Sequence, residues 1–210
     1  MASKILVDEL APQSHATDVT ITTGKKIAGA NTQYKVTGGS SGQVLTNDGS
    51  DGLSWSSAGS VIKVACIVDE KANNTAGGTF TSGSWQQRDL QTEYYDTIGV
   101  TVGTNTFELP AGTFYIDWTC PAEDVDSHQS RLYNITSAAV VQYGSSEFSD
   151  TSTARDQTRS FGSGAVTLGS AAVFKVEHRC GTTHATEGLG IPTNFGGVEV
   201  YTIVKVMQIA

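Results

Sequence analysis

The sequence predicts an all-β sandwich preceded by a small extended arm, on three observations. Gly, Ser and Thr make up 71 of the 210 residues, a composition suited to tight turns and pleated, hydroxyl-bearing strands. Charged residues are 16%, against about 25% in an average globular domain, so the Glu, Lys and Arg that long helices need are scarce. From residue 61 onward, short apolar segments recur between Gly-rich turns, several of them with period-two alternation. A helical bundle or coiled coil is excluded.

The arm, residues 1–60, holds β-like pieces at Lys4 to Leu10, Asp18 to Thr23 and Tyr34 to Thr37. After Gly38-Gly39-Ser40-Ser41-Gly42 come Gln43-Val44-Leu45-Thr46, an Asn47-Asp48-Gly49-Ser50-Asp51-Gly52 cluster and Leu53-Ser54-Trp55. Two short strands around Asn, Asp and Gly predict a hairpin, because those residues tolerate positive φ. So few apolar side chains cannot make an independent core, and an isolated hairpin is marginal in water.

The second unit, residues 61–210, opens with Val61 to Val68, a strand apolar on both faces. Further strands are expected at 99–102, 106–109, 112–119, 130–135, 140–143, 158–161, 164–168, 171–178 and 197–206. In the fourth of these ten segments, Phe114, Ile116 and Trp118 share one face. This set predicts a sandwich or jelly roll. The polar stretches Glu70 to Gly83 and Ser145 to Gln157 are expected to be loops, where variable function sits on a rigid frame.

The charge balance narrows the partners. A net charge of −8 and no basic stripe exclude a nucleic-acid reader, which must replace condensed counterions. No run approaches the ~20 apolar residues that span a bilayer, so membrane insertion is not expected. Ile5-Leu6-Val7, closed by Asp8 and Glu9, is no signal-peptide core, and the chain is expected to stay in the compartment where it is made. Cys66, Cys120 and Cys180 are an odd number at wide spacing and read as reduced, buried thiols. The charge is unevenly divided: the arm has 4 Lys+Arg against 5 Asp+Glu, the remainder 9 against 16.

Motifs for catalysis are missing: there is no GxSxG elbow, HExxH or P-loop, and no enzyme activity or cofactor is expected. The run Glu123-Asp124-Val125-Asp126 with His128, read as a loop after Pro121, offers hard oxygen ligands of the kind calcium takes, or is a solvated loop. His178 and His184 flank Cys180, but alternation would leave only two of them converging, too few for zinc. No metal is therefore assigned. Trp85, Tyr94 and Tyr95 lie in a polar stretch where exposed rings could stack on sugar or anchor an interface, or could plug an end of the sandwich. With Asp124 and Asp126 they are the candidate receptor-binding residues. A glycan-cleaving reading would use Glu123 and Asp126, which must stand about 5 to 10 Å apart.

Several segments resemble a known family. Leu109-Pro110-Ala111-Gly112-Thr113-Phe114-Tyr115-Ile116, a turn feeding a central strand, is similar to an element of C1q/TNF-like jelly rolls. Phe195-Gly196-Gly197-Val198-Glu199-Val200-Tyr201-Thr202-Ile203-Val204 resembles their final strand. Ser84 to Asp96 resembles a version of that domain at the ends of tailed-bacteriophage fibres and appendages. Gly42 to Gly49 with Trp55 resembles a short connector of phage tail-fibre proteins. The resemblance spans about residues 38 to 210. It implies a homotrimeric C1q/TNF-like jelly roll whose final strand lies near the trimer axis. It further implies a virion protein with residues 1–60 as its attachment arm to other virion proteins. Phage fibres have long shafts, and only about sixty residues precede the head here. The resemblance therefore implies either a short trimeric tail fibre binding a host receptor or glycan, or a capsid-bound head fibre or decoration protein.

Overall fold

The computed structural model describes residues 39–47, 53–57, 62–152 and 155–209. The strands expected at 4–10, 18–23 and 34–37 lie outside them. The chain divides into two compact units, Met1–Ala58 and Gly59–Ala210.

In the first unit, β1 (Gln43–Asn47) pairs antiparallel with β2 (Leu53–Ser57), the hairpin the Asn/Asp/Gly cluster predicts. A tight turn leads into β1: the Gln43 N–H donates to the Ser40 carbonyl at 3.1 Å, and Gly42 adopts φ +84°. Glycine takes that left-handed position without steric cost.

The second unit is a sandwich of two antiparallel sheets. Its strands are β3 (Lys63–Lys71), β4 (Gln86–Gln87), β5 (Thr92–Asp96), β6 (Thr101–Val102) and β7 (Phe107–Leu109). They continue with β8 (Gly112–Glu123), β9 (Asp126–Asn134), β10 (Ala139–Ser149), β11 (Gln157–Leu168), β12 (Ala172–Cys180) and β13 (Glu199–Gln208). One sheet has five strands in the order β11-β8-β13-β3-β5; the other runs β10-β9-β12-β7-β6, with β4 also on β12. From β7 to β13 the chain crosses between the sheets at every connection except the β9–β10 hairpin. Such repeated crossing is a jelly roll, as the resemblance implies.

The core lies between the sheets. Phe114, Ile116 and Trp118 of β8 face Leu132 of β9 and Phe174 and Val176 of β12, all buried with Phe107, Ile67 and Val204. Each such side chain contributes about 1.5–3 kcal/mol on leaving water. Several polar groups inside are linked in a chain. The Trp118 indole N–H donates to Ser130 Oγ (2.9 Å), which bonds Ser160 Oγ (2.8 Å), which donates to the Ser145 carbonyl (2.8 Å). The three thiols are free and buried.

Four local expectations are corrected. The segments 158–161 and 164–168 are one strand, β11, because Gly162 lies flat on Trp118; a Cβ there would stand 2.0 Å from Cζ2 of the indole. The stretch 145–157 is not all loop: bulges after Val140 and Tyr143 reset the register and β10 runs on to Ser149. The acidic stretch 123–128 is no loop either, since β8 ends at Glu123, β9 starts at Asp126, and only Asp124 and Val125 turn. Finally Thr92–Asp96, without one aliphatic residue, forms β5, an edge strand held by backbone pairing to β3.

The sandwich is polar along its length. Lys63, where the chain enters, pairs with Gln208, which pairs with Phe114. The long connections 72–85, 150–156 and 181–198 all leave the opposite end, near Lys71, Ser149 and Cys180. They are laced together: Phe80 bridges His184, Thr182 N–H donates to the Val125 carbonyl (2.9 Å), and Asp124 N–H to the Asp156 carbonyl (3.1 Å). The Glu199 carboxylate accepts from the N–H groups of Asn74, Thr193 and Asn194 and from Thr193 Oγ1. Those bonds hold its pKa down to about 2.

Candidate functional site

The five candidate residues fall in three places. Trp85 lies on the outward face of the six-stranded sheet. Tyr94 and Tyr95 are half-exposed on the edge strand β5 of the other sheet. There Tyr95 is registered against Cys66, while Tyr94 hydrogen-bonds Glu70, which pushes its phenol up to about 12. Asp124 and Asp126 flank the β8–β9 turn, both at positive φ (47° and 58°). Their carboxylates are engaged in tying loops. Asp124 accepts from the N–H groups of Arg155 (3.3 Å) and Asp156 (2.9 Å), and Asp126 from the hydroxyls of Thr151 (3.0 Å) and Thr182.

Metal and acid–base groups are placed with equal clarity. Among the described residues no three His, Cys, Asp or Glu side chains are placed to hold a metal ion. Glu123 is buried, and that burial, with Glu187 and Asp124 nearby, pushes its pKa up to about 7. His178 points into the core while His184 lies in the loops, so the two do not converge on Cys180. His178 instead bonds His128, Nε2 to Nδ1 at 3.0 Å. Thr158 Oγ1 gives its hydrogen to the Phe148 carbonyl (3.1 Å), so it accepts from His128 Nε2–H (2.7 Å). His128 Nδ1 then accepts from His178 Nε2–H, leaving His178 Nδ1 a buried lone pair without a partner. Burial keeps both rings neutral: His128 falls to about 4 and His178 well below its ordinary value.

A groove of about 830 Å³ opens on the outward face of the six-stranded sheet, between Trp85 on one side and Phe148 on the other. Strand register builds its floor. Ser146, Gln129 and Arg179 form one row across β10, β9 and β12; Phe148 and Ser127 form the next. Period two sends these side chains outward while His128, Ser130 and Cys180 face in. The Trp85 ring is held from below. The Arg131 guanidinium sits 4.2 Å from its centroid, and Glu177 fixes that guanidinium through Nε and Nη2, both at 2.7 Å. Tyr143 packs at the ring's side, 5.9 Å between centroids.

Of the side chains that face outward into this groove, the sequence singles out Trp85 alone. Arg131, Gln129, Phe148 and Arg179 went unread. The available signal was the alternation 127/129/131/133 on β9 against 175/177/179 on β12, which needs the register of two strands distant in sequence.

Comparison with known proteins adds shape alone. No family model and no curated protein matches the sequence. Solved structures similar to it include murine APRIL at pH 8.0, with 7% identity, 71% of this chain and 100% of that chain covered, and a TM-score of 0.44. The globular domain of the zebrafish complement 1qA protein matches at 12% identity, 70% and 98% coverage and a TM-score of 0.47. Eiger TNF from S. frugiperda matches at 12% identity, 71% and 93% coverage and 0.49.

Proposed function

We propose that this chain is a non-enzymatic virion protein. It is a short homotrimeric bacteriophage fibre whose jelly-roll head binds a host-surface glycan in the Trp85 groove, and whose residues 1–60 dock on other virion proteins. The observation that carries this reading is the outward face of the five-stranded sheet, which is too apolar for a surface facing only water. In one row stand Phe161, Thr119 and Ile203; in the next Ser163, Asp117, Lys205, Cys66 and Tyr95; then Ala165, Tyr115, Met207 and Val64. Phe161 is 59% exposed, Tyr95 48%, Tyr115 40% and Met207 37%. Concavities of about 210 and 160 Å³ lie along it, both lined by Asp117 and Lys205. Three copies packed about an axis would cover this face, and three-fold repetition multiplies a weak sugar contact through effective concentration.

The polarity of the sandwich itself supports display: its first strand starts at one end, at Lys63, and the laced loops gather at the other. The connector hairpin with Trp55 supports the fibre assignment. The test is adsorption: purified full-length protein should compete with particles for host cells, and immunogold labelling should mark the tail tip. Labelling over the capsid, with incorporation abolished by deleting residues 1–40 and no competition, would instead assign a head fibre or decoration protein.

A further inference from the structure

We infer that the Trp85 groove is specific for acidic saccharides, with Arg179 as the residue that reads the acid; this rests on the glycan-binding reading above. The protein carries −8 overall, yet the outward positions of β9 and β12 carry three cations, Arg131, Lys175 and Arg179, against one anion, Glu177. The outward face of these two strands is thus locally cationic on an acidic molecule.

The four charges are not equivalent. Glu177 takes Arg131 at 2.7 Å on one oxygen and Lys175 at 2.7 Å on the other, so both cations are committed to the support beneath Trp85 and beside Tyr133. Arg179 is exposed in the groove floor, and its side chain makes no ion pair or hydrogen bond with any of the described residues. A free guanidinium fork matches a carboxylate bidentately and supplies five donors. Glu147 also lines the groove, but its strand neighbours Ser146 and Phe148 face outward and its cross-strand partner is the inward-facing His128. It therefore lies on the opposite side of β10 from the row that holds Arg179. His128 is neutral and adds no charge.

Around Arg179 the groove has the parts a pyranose needs. Trp85 and Phe148, the latter 56% exposed, offer apolar rings for the C–H faces of sugars. The Gln129 amide spends one N–H on the Gly144 carbonyl (3.0 Å), leaving its oxygen to accept from a sugar hydroxyl. Ser127 and Ser146 supply hydroxyls on either side. A neutral sugar would use the rings and amide and offer Arg179 only hydroxyl oxygens; a uronate adds a carboxylate that the guanidinium grips bidentately, with bonds about twice as strong.

The experiment is calorimetric titration of the full chain with α-1,4-linked tetragalacturonate and with the α-1,4-linked galactose tetramer of the same length. The acidic tetramer should bind at least tenfold tighter at low salt. Arg179→Ala should bring the two within about twofold of each other, and Trp85→Ala should weaken both together. Arg179 is exposed, so its variant should melt as the wild type does, and Arg179→Lys should recover only part of the preference. Equal binding of the two tetramers by wild type, with Trp85→Ala weakening both, would overturn the acid-reading role while leaving the glycan groove standing. Binding of neither would overturn both. An acid preference that survives Arg179→Ala would overturn the assignment to Arg179.

Discussion

The guanidinium of Arg131 lies over Trp85 at 4.2 Å from the ring centroid while its nitrogens are held by Glu177. One face of the indole is therefore occupied, and the ring presents its remaining surface to the groove. A cation over an indole is worth about 0.5–1 kcal/mol at an exposed site.

Arg131→Ala should free the ring more than it destabilises the fold. Acrylamide quenching of tryptophan fluorescence should rise, unfolding free energy should fall by about 1 kcal/mol, and saccharide affinity should drop severalfold. Unchanged quenching would mean that Arg131 does not hold Trp85.

Arg88 is a separate, structural prediction. Fully buried, it donates from Nε to Thr202 Oγ1 (2.8 Å), from Nη2 to the Leu189 carbonyl (2.8 Å) and from Nη1 to the Pro121 carbonyl (3.3 Å). It ties β8 and β13 to the loop before β13. Arg88→Met keeps much of the volume and orphans three acceptors, at about 2–4 kcal/mol. Urea denaturation should show that loss; an unchanged midpoint would contradict it.

Gly162→Ala should cost about 1–3 kcal/mol, the usual range for overpacking, because the new methyl would meet the Trp118 ring. Near-ultraviolet circular dichroism should report the displaced indole. A silent substitution would mean that β11 can lift off β8 freely.

Stability should depend on pH in two opposed ways. His128 is held near 4, below its ordinary 6.5, and burial holds His178 well below 6.5 as well. Between those values the unfolded chain binds protons that the folded chain refuses, so stability falls as pH drops from about 6.5 towards 4. Glu123 works the other way. Raised from 4.5 to about 7, it keeps a proton in the folded state, and the stability it contributes is lost as pH rises through 7. Calorimetry should find Glu123→Gln more stable than wild type at pH 8 and nearly equal at pH 5. Equal melting temperatures at both would contradict the buried-acid assignment.

The strand set was legible wherever hydrophobic alternation was strong: Phe114, Ile116 and Trp118 announce β8 and its buried face without help. Edge strands were less so. Thr92–Asp96 has no aliphatic side chain, and only its pairing with β3 makes it a strand. Gly162 reads as a break until Trp118 is seen beneath it. Of the site, Trp85 is visible as an aromatic in a polar stretch, but Gln129, Arg131 and Arg179 become neighbours only through the β9–β12 register. Asp124 and Asp126 look like free acids in sequence, and their hydrogen bonds to residues near 151–156 and 182 are long-range. Period two says which side of a sheet a residue takes. It does not say which strand lies alongside.

The trimer built on the Phe161 face is the central claim, and the mass of the full-length chain in solution tests it most directly. Multi-angle light scattering at micromolar concentration should give about three times the 22.1 kDa of one chain, and Phe161→Glu, which places a charge on that face at its β11 edge, should reduce it to one. A wild-type chain that stays monomeric, or a trimer indifferent to Phe161→Glu, would contradict the account.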